Sequence, residues 1–307
     1  MANVPFSRKL WNSKKIPALG LGTNAGFLYD PELTEHAVAA AIDIGYRLFD
    51  CSPIYMNEKN IGKAIQAKIY EKVVKRKDLF IVTKFWITNH KSMNVSDSLT
   101  SSLKALKLDY VDLFLMTWPF SHSNDVDYTN VWIEMENCIH KKMTKSIGVC
   151  NFNLEQLTRL QQFATIKPAV IQVECHINLN QTELRDYCKR NEIILMGYTP
   201  FGDVHEATDG PYSEWRTSEQ VTLDAPEMKA IAEKYKKTVY QVALRYLTQI
   251  GVVPIPKSCS LMHIESNIEI FDFQLTQEEI LIIDRLDCNK RIHTANQYRA
   301  HDYYPFY

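Results

Sequence analysis

Asp50, Lys84, Thr117, Cys150, Asn151, Glu174, Tyr198 and Lys257 stand at the ends of short apolar runs, where a chain of alternating strands and helices collects its chemistry. Carboxylate, ammonium, hydroxyl and amide groups gathered at such ends can transfer protons and hold a polar ligand. Metal chemistry has no comparable support. There is no H-E-x-x-H, and His263-Ile264-Glu265 lacks the later P-C-x-x-C that would complete a zinc site. The adjacent pair Cys175-His176 is expected to be structural, and no metal is expected.

Other motifs also fall short. Gly20-Leu21-Gly22-Thr23-Asn24-Ala25-Gly26 places its third glycine one position late for a dinucleotide fingerprint, and no clear acidic partner follows about 20 residues on. Around Gly62-Lys63, Asn57 and Ala64 replace the first glycine and the hydroxyl residue of a P-loop. Tyr55 and Lys59 have a Y-x-x-x-K spacing that 16 tyrosines and 35 basic residues generate by chance. No G-x-S-x-G exposes a nucleophilic serine.

The elements that must position these residues follow from hydrophobic period. Strands are predicted at Leu19 to Gly22, Arg47 to Phe49, Leu79 to Lys84, Val111 to Thr117, Ser146 to Cys150, Val170 to Glu174, Ile193 to Tyr198 and Val252 to Ile255. Helices are predicted at Leu33 to Ile44, Ile61 to Tyr70, Val95 to Leu106, Thr129 to Lys141, Leu154 to Phe163, Thr182 to Asn191 and, in two pieces, Ala225 to Leu247. Met262 to Ile268 and Thr276 to Leu286 follow the last strand. Such alternation matches an α/β (β/α)8 barrel over residues 1 to 307 as one domain, with an N-terminal hairpin (Phe6 to Leu10, Ile16) and a C-terminal tail. A doubly wound sheet is the competing architecture.

Composition narrows the class. The 307 residues are 46% hydrophobic and 23% charged, enough to bury a large core. With 35 Lys+Arg against 36 Asp+Glu the net charge is -1, so no bulk field attracts nucleic acid or an anionic membrane. The basic run Lys68, Lys72, Lys75, Arg76, Lys77 is expected to be a solvated helix end and loop. Seven cysteines, odd in number and never spaced C-x-x-C, together with an N-terminus lacking a signal-peptide core, predict free thiols and a cytoplasmic location. No run approaches the roughly 18 apolar residues of a membrane span. Glycine is scarce, 10 in all, so any phosphate affinity is expected from side chains and helix ends.

Nine segments, in order, resemble the aldo-keto reductase family. They are Ile16 to Thr23 (IPALGLGT), Gly45 to Asp50 (GYRLFD) with Tyr55 to Glu58 (YMNE), Phe80 to Lys84 (FIVTK), Asp112 to Pro119 (DLFLMTWP), Ser146 to Asn153 (SIGVCNFN), Lys167 to His176 (KPAVIQVECH), Tyr198 to Gly202 (YTPFG), Ile255 to Ser258 (IPKS) and Asp302 to Phe306 (DYYPF). The resemblance implies a (β/α)8 barrel reducing aldehydes or ketones with NADPH. It also implies Tyr55 as proton donor, Lys84 as the cation that lowers the phenol's pKa, and Asp50 as the counter-ion of Lys84.

One position departs from the family pattern. Thr117 stands where a histidine usually precedes Trp-Pro, and it can donate only one, shorter-reaching hydrogen bond. Loss of one donor to a developing oxyanion typically costs about 10² to 10³ in kcat, so slow or substrate-restricted turnover is expected. The alternative is an NADP(H)-binding barrel with little catalysis and a regulatory or binding role; a barrel lyase or isomerase without nicotinamide is a further one.

For the cofactor, the resemblance implies contacts from Thr23, Asp50, Cys150, Asn151, Gln172, Tyr198, Pro200 and Phe201, with Tyr198 stacking on the nicotinamide. It assigns Lys257 and Ser258 to the 2′-phosphate and Asn267 to adenine, with His263 in place of an arginine. An imidazole is mostly neutral at pH 7, so affinity is expected to tighten as pH falls below about 6.5. Cys150 replaces a serine, Ile171 an asparagine, and Asp203 occupies a pyrophosphate-loop position. Tyr55, Trp86, Trp118 and Tyr298 are the expected pocket residues, joined by Tyr303 and Phe306. Asn24 replaces a pocket tryptophan, His122 is expected to face solvent, and the short Pro119 to Trp132 segment implies an open pocket. A small carbonyl compound is the expected partner, and the chain is expected to be a monomer.

Overall fold

The computed structural model describes residues 6–24, 30–86, 94–121, 126–202 and 222–306. An antiparallel hairpin, β1 (Ser7–Lys9) and β2 (Lys15–Pro17), opens the chain. Eight parallel strands follow: β3 (Leu21–Gly22), β4 (Leu48–Asp50), β5 (Phe80–Phe85), β6 (Leu113–Met116), β7 (Ile147–Cys150), β8 (Val170–Glu174), β9 (Ile194–Tyr198) and β10 (Val253–Pro254). Each pairs with its sequence neighbour, as the predicted alternation requires.

The sheet closes on itself. Gly20 N–H donates to Pro254 O at 3.0 Å and Gly22 N–H to Pro256 O at 2.9 Å, joining the first strand to the last. The closure depends on a missing side chain, because a Cβ at Gly22 would lie 2.9 Å from Ile255 O. Gly20 and Gly22 of the near-fingerprint therefore serve strand contact, and Gly26 lies outside the described residues. Closure decides for the barrel over the doubly wound sheet.

The helices are α1 (Pro31–Ile44), α2 (Glu58–Tyr70), α3 (Val95–Leu106), α4 (Tyr128–His140), α5 (Leu154–Phe163), α6 (Thr182–Arg190), α7 (Pro226–Tyr235), α8 (Val239–Gln249), α9 (Leu261–Ile268) and α10 (Gln277–Asp284). Asn153, Thr238 and Thr276 start α5, α8 and α10 with capping boxes, which fix where those helices begin. None of the described helices is long and apolar enough to cross a membrane.

Side-chain alternation divides the core. Ile81, Phe114, Val149, Ile171 and Leu195 point outward, into the cluster beneath the helices. Leu48, Val82, Leu113, Leu115, Val170, Met196 and Val253 form a second cluster inside the barrel, floored by Leu10 and Ile16 of the hairpin. The period of two then carries the inward parity along each strand to Asp50, Lys84, Thr117, Gln172, Tyr198 and Lys257. Ile171, beside Gln172, faces the helices and cannot replace a cofactor-facing asparagine directly.

In the basic run Lys72, Lys75 and Lys77 are exposed, as expected, while Lys68 and Arg76 are half-buried. Lys68 pairs with Asp43 at 2.7 Å and Glu71 at 2.8 Å. Arg76 bonds Asp112 at 2.8 Å and lies 4.0 Å from the centroid of the Tyr110 ring. Both side chains tie elements together by local charge pairing.

Candidate active site

Tyr55 ends a short 3₁₀ turn, Pro53–Tyr55, immediately after β4, and Met56 leaves it in the left-handed region at φ 53°. This turn brings the phenol back over the end of β5. Lys84 Nζ lies 3.2 Å from Tyr55 OH, 2.6 Å from Asp50 Oδ2 and 3.0 Å from Cys51 O. An ammonium has three protons, and here each has one acceptor. Lys84 and Asp50 are 3% and 2% exposed, so the pair is held away from water.

Burial alone would drive Lys84 toward its neutral form, but Asp50 and the Tyr55 oxygen outweigh it and hold the ammonium charged, above the ordinary lysine range. The Tyr55 phenol is pushed up to about 12, chiefly by burial, with Lys84 pulling it down and Asp50 adding to the rise. Lys84 thus acts in the expected direction, yet desolvation dominates. The phenol stays protonated at neutral pH.

The second Asp50 oxygen is also engaged. Gln172 Nε2 donates to Asp50 Oδ1 at 2.8 Å and lies 2.9 Å from Met196 Sδ, while Cys150 Sγ donates to Gln172 Oε1 at 3.8 Å. Burial pushes the Cys150 thiol well above its ordinary range, so it remains a donor.

Thr117 is turned aside. Its Oγ1 donates to Phe85 O at 2.6 Å, which uses the one proton of this hydroxyl. In this arrangement the proton points to the strand end and not into the pocket. Thr23 is similar: its Oγ1 donates to Asp50 O at 2.8 Å, and Asn57 Nδ2 donates to Thr23 O at 2.7 Å. These bonds brace the Asp50 strand end.

Asn151, in the left-handed region at φ 58°, donates through Nδ2 to Thr117 O at 3.0 Å and accepts from Tyr198 OH at 2.8 Å. That bond fixes the Tyr198 ring at the barrel mouth. Pro200 is buried just beyond β9, and Phe201 packs edge-on against Tyr240 with centroids 5.1 Å apart. On the neighbouring sector Lys257 is exposed, Ser258 Oγ accepts from Ser260 N at 3.1 Å, and α9 presents His263 at its exposed start. Asn267, one helical turn on, is buried.

Residues 18–287 match the model of the Aldo/keto reductase family. The chain belongs to the aldo/keto reductase family. It is similar to rat (Rattus norvegicus) aldo-keto reductase family 1 member C18, at 38% identity over 97% of this chain and 96% of that one. A crystal structure of aldo-keto reductase AKR2E5 complexed with NADPH superimposes with TM-score 0.90 at 41% identity, covering 100% of this chain and 95% of that one. Bombyx mori aldo-keto reductase AKR2E4 in complex with NADP gives TM-score 0.89 at 34% identity, covering 98% and 99%.

In this aldo/keto reductase the mouth is walled by aromatic rings. Trp118, buried, packs on Phe120 with centroids 5.2 Å apart and meets Phe306 at 5.9 Å; Phe120 in turn packs on Tyr298 at 4.7 Å. Trp86 is half-buried at the end of β5, and Asn24 is exposed. Tyr303 does not join this wall. Its ring packs on Tyr128 at 5.1 Å and its hydroxyl donates to Asp127 Oδ2 at 3.3 Å, on the outer side where Arg159 also holds Asp127. His122 and Asp203 lie outside the described residues.

Sequence reasoning placed Glu174 at a strand end without a role. Its carboxylate accepts Ile292 N–H at 2.8 Å, His293 N–H at 2.7 Å and a bond from His176 Nε2 at 2.9 Å, anchoring the tail across 118 residues of chain. His293 also meets Thr199 Oγ1 at 3.2 Å and the edge of the Tyr198 ring at 5.4 Å. No local pattern signals a bond to a partner so distant in sequence. Glu58 carries no local signal either. It is buried, accepts from Thr83 Oγ1 at 2.6 Å, and is raised above the usual carboxylate range by that burial. Among the described residues no cluster of His, Cys, Asp or Glu is arranged to hold a metal ion.

Proposed function

We propose that the chain reduces an aldehyde or ketone to an alcohol with NADPH, with Tyr55 as the proton donor. The observation that carries this reading is the constellation of half-buried Tyr55 with buried Lys84 and Asp50: a protonated phenol beside an ammonium that stays charged. A phenol is a weak acid, and the ammonium stabilises the phenolate left when its proton moves to the carbonyl oxygen. Asp50 keeps that ammonium charged and aimed.

The residues present fit the dinucleotide. Tyr198 offers a ring fixed by Asn151, with Cys150 and Gln172 at its side, and Thr23, Pro200 and Phe201 border the same mouth. Exposed Lys257 with Ser258 and His263 gives a cationic, hydrogen-bonding seat for a phosphate at the start of α9. The carboxamide of Asn267, which can both donate and accept, suits a heteroaromatic edge such as adenine. When bound, NADPH supplies the hydride that forms the new C–H bond.

Trp86, Trp118 and Tyr298, with Phe120 and Phe306, support an apolar carbonyl compound as substrate, with Tyr55 as the polar contact. Because the Thr117 hydroxyl bonds Phe85, Tyr55 is the donor that meets the oxygen, which supports slower or substrate-restricted turnover. The test is loss of NADPH absorbance with a panel of apolar aldehydes and ketones. Turnover that disappears in Tyr55→Phe supports the reading; NADPH binding without turnover of any compound favours the binding role instead.

A further inference from the structure

At the end of the barrel opposite Tyr55, a cavity of about 220 Å³ opens between the hairpin turn, the end of α4 and the residues leading into β7 and β8. Trp11, Ile139, Ile147 and Ile166 give it apolar walls. Asn12 spans one side: its Nδ2 donates to Ser146 Oγ at 2.9 Å and Lys145 O at 3.3 Å, and its Oδ1 accepts Lys14 N–H at 3.2 Å. The Ile166 carbonyl accepts from Trp132 Nε1 at 3.1 Å. These acceptors are committed, and no Asp or Glu lines the cavity. What remains uncommitted is a set of donors. Ser146 is 1% exposed, and its own hydroxyl proton meets no acceptor among the described residues. The Trp11 indole N–H is buried and also without a partner among them. Lys14 is exposed and forms no ion pair among the described residues, whereas Lys145 is held by Asp112 at 3.1 Å.

We infer that this cavity binds a small apolar monocarboxylate, its acid group toward Lys14, Ser146 and the Trp11 N–H and its body among the three isoleucines. An ionised carboxylate only accepts, so it complements donors that no protein group satisfies. A neutral amide would set an NH2 against those donors, and a neutral carbonyl compound would forgo the charge of Lys14. The size limits the body to about one ring, since sites for drug-sized ligands run to roughly 300 to 1,000 Å³. The site is independent of the reductase reading: it lies where β7 and β8 begin, and the Tyr55 mouth lies where the strands end. Its walls come from the hairpin, α4 and the approaches to β7 and β8, elements far apart in sequence. An acid bound there ties the hairpin to the barrel and stabilises the folded chain by mass action.

The experiment titrates 4-fluorophenylacetate into the full chain loaded with NADP+ and follows the fluorine NMR signal. The expected Kd is about 1 mM or tighter, and 4-fluorophenylacetamide should bind at least about tenfold more weakly. Trp11→Phe keeps an aromatic wall and removes the N–H donor, which should weaken binding about fivefold. Lys14→Gln changes an exposed turn residue, so the fold is unaffected, and the lost charge should weaken binding about threefold. Tyr55→Phe, at the opposite mouth, should bind the probe within about twofold of wild type. Thermal unfolding supplies a second readout. A probe concentration ten times the wild-type Kd should raise Tm by about 2 to 5 °C in wild type and by about half as much in Trp11→Phe. No binding at about 10 mM probe, equal affinity for the amide, or an affinity unchanged in Trp11→Phe or in Lys14→Gln overturns the proposal. So does binding that disappears in Tyr55→Phe, because the probe then occupies the mouth of the barrel and not its floor.

Discussion

Thr117 donates its hydroxyl to the carbonyl oxygen of Phe85 at 2.6 Å, the same oxygen that receives its backbone N–H at 3.0 Å. Phe85 closes β5, one residue after Lys84, so the bond ties the ends of adjacent strands together. It also removes the hydroxyl from the pocket. Thr117→Val should therefore leave kcat and KM within about twofold, since the backbone N–H still satisfies Phe85 O. Thr117→His introduces a donor of greater reach, and kcat should rise about tenfold or more. Steady-state kinetics on one apolar ketone reads both. A tenfold loss in Thr117→Val would mean the hydroxyl leaves Phe85 during the reaction.

The Tyr55 phenol, pushed up to about 12, fixes how the two directions respond to pH. Reduction uses the protonated phenol, the form present well below its pKa. Its kcat should be flat between about pH 6 and 9. Alcohol oxidation uses the phenolate, whose fraction rises tenfold for each pH unit below the pKa, so that rate should climb by about tenfold per unit over the same range. Rate profiles in both directions check this; a reduction rate falling near pH 8 would place the phenol far lower.

Arg159, Asp127 and Tyr303 should govern the pocket from outside it. Arg159 makes paired contacts of 2.9 and 2.6 Å to Asp127, and Gln156 Nε2 donates to Tyr303 O at 2.8 Å, docking the tail that carries Tyr298 and Phe306. Arg159→Ala should raise KM for an apolar substrate about threefold to tenfold, while the NADPH Kd stays within about twofold. Arg159 and the Thr129 bonds hold the Asp127 carboxyl below its usual range. A lowered folded pKa means the pair stabilises the tail above about pH 4 and loses that contribution as pH falls further. An unchanged KM in Arg159→Ala would show that the tail docks without the pair.

Glu174 should matter to stability more than to turnover. Burial raises its pKa, but the His176 bond, the nearby histidines and the Ile292 N–H outweigh it, and the net direction is downward. Glu174→Gln turns an NH2 toward donors already committed, leaving at least one buried N–H unsatisfied, which typically costs about 1 to 3 kcal/mol. Denaturant titration should show a lower midpoint with an unchanged slope. The stability that the carboxylate contributes is present above the ordinary carboxylate range and lost as pH falls below it, so wild type and variant should converge in acid. Equal midpoints at neutral pH would mean the tail is held by other contacts.

Much of the fold was legible because its signals are local. A run such as Val170 to Glu174 declares a buried strand by composition alone, and β8 spans those same residues. The site was legible one residue at a time. Asp50, Lys84 and Tyr198 could be placed at strand ends, but whether one faces another depends on closure of the barrel, which no window of sequence contains. Gly62 shows the same limit. It resembled part of a phosphate loop, yet a Cβ there would sit 2.6 Å from the Leu106 backbone, so it serves the approach of α2 to α3.

The sequence by itself determined the strand and helix order, the period of two that turns Asp50, Lys84, Thr117, Gln172 and Tyr198 toward one side of their strands, and the departure at Thr117. The tertiary structure decided the partners: Thr117 to Phe85, Gln172 to Asp50, and Glu174 to the tail at Ile292 and His293. Side-chain parity is a property of each strand's own backbone. A hydrogen bond across 122 residues, as between Gln172 and Asp50, exists only once the closed sheet has set the two strand ends across the barrel.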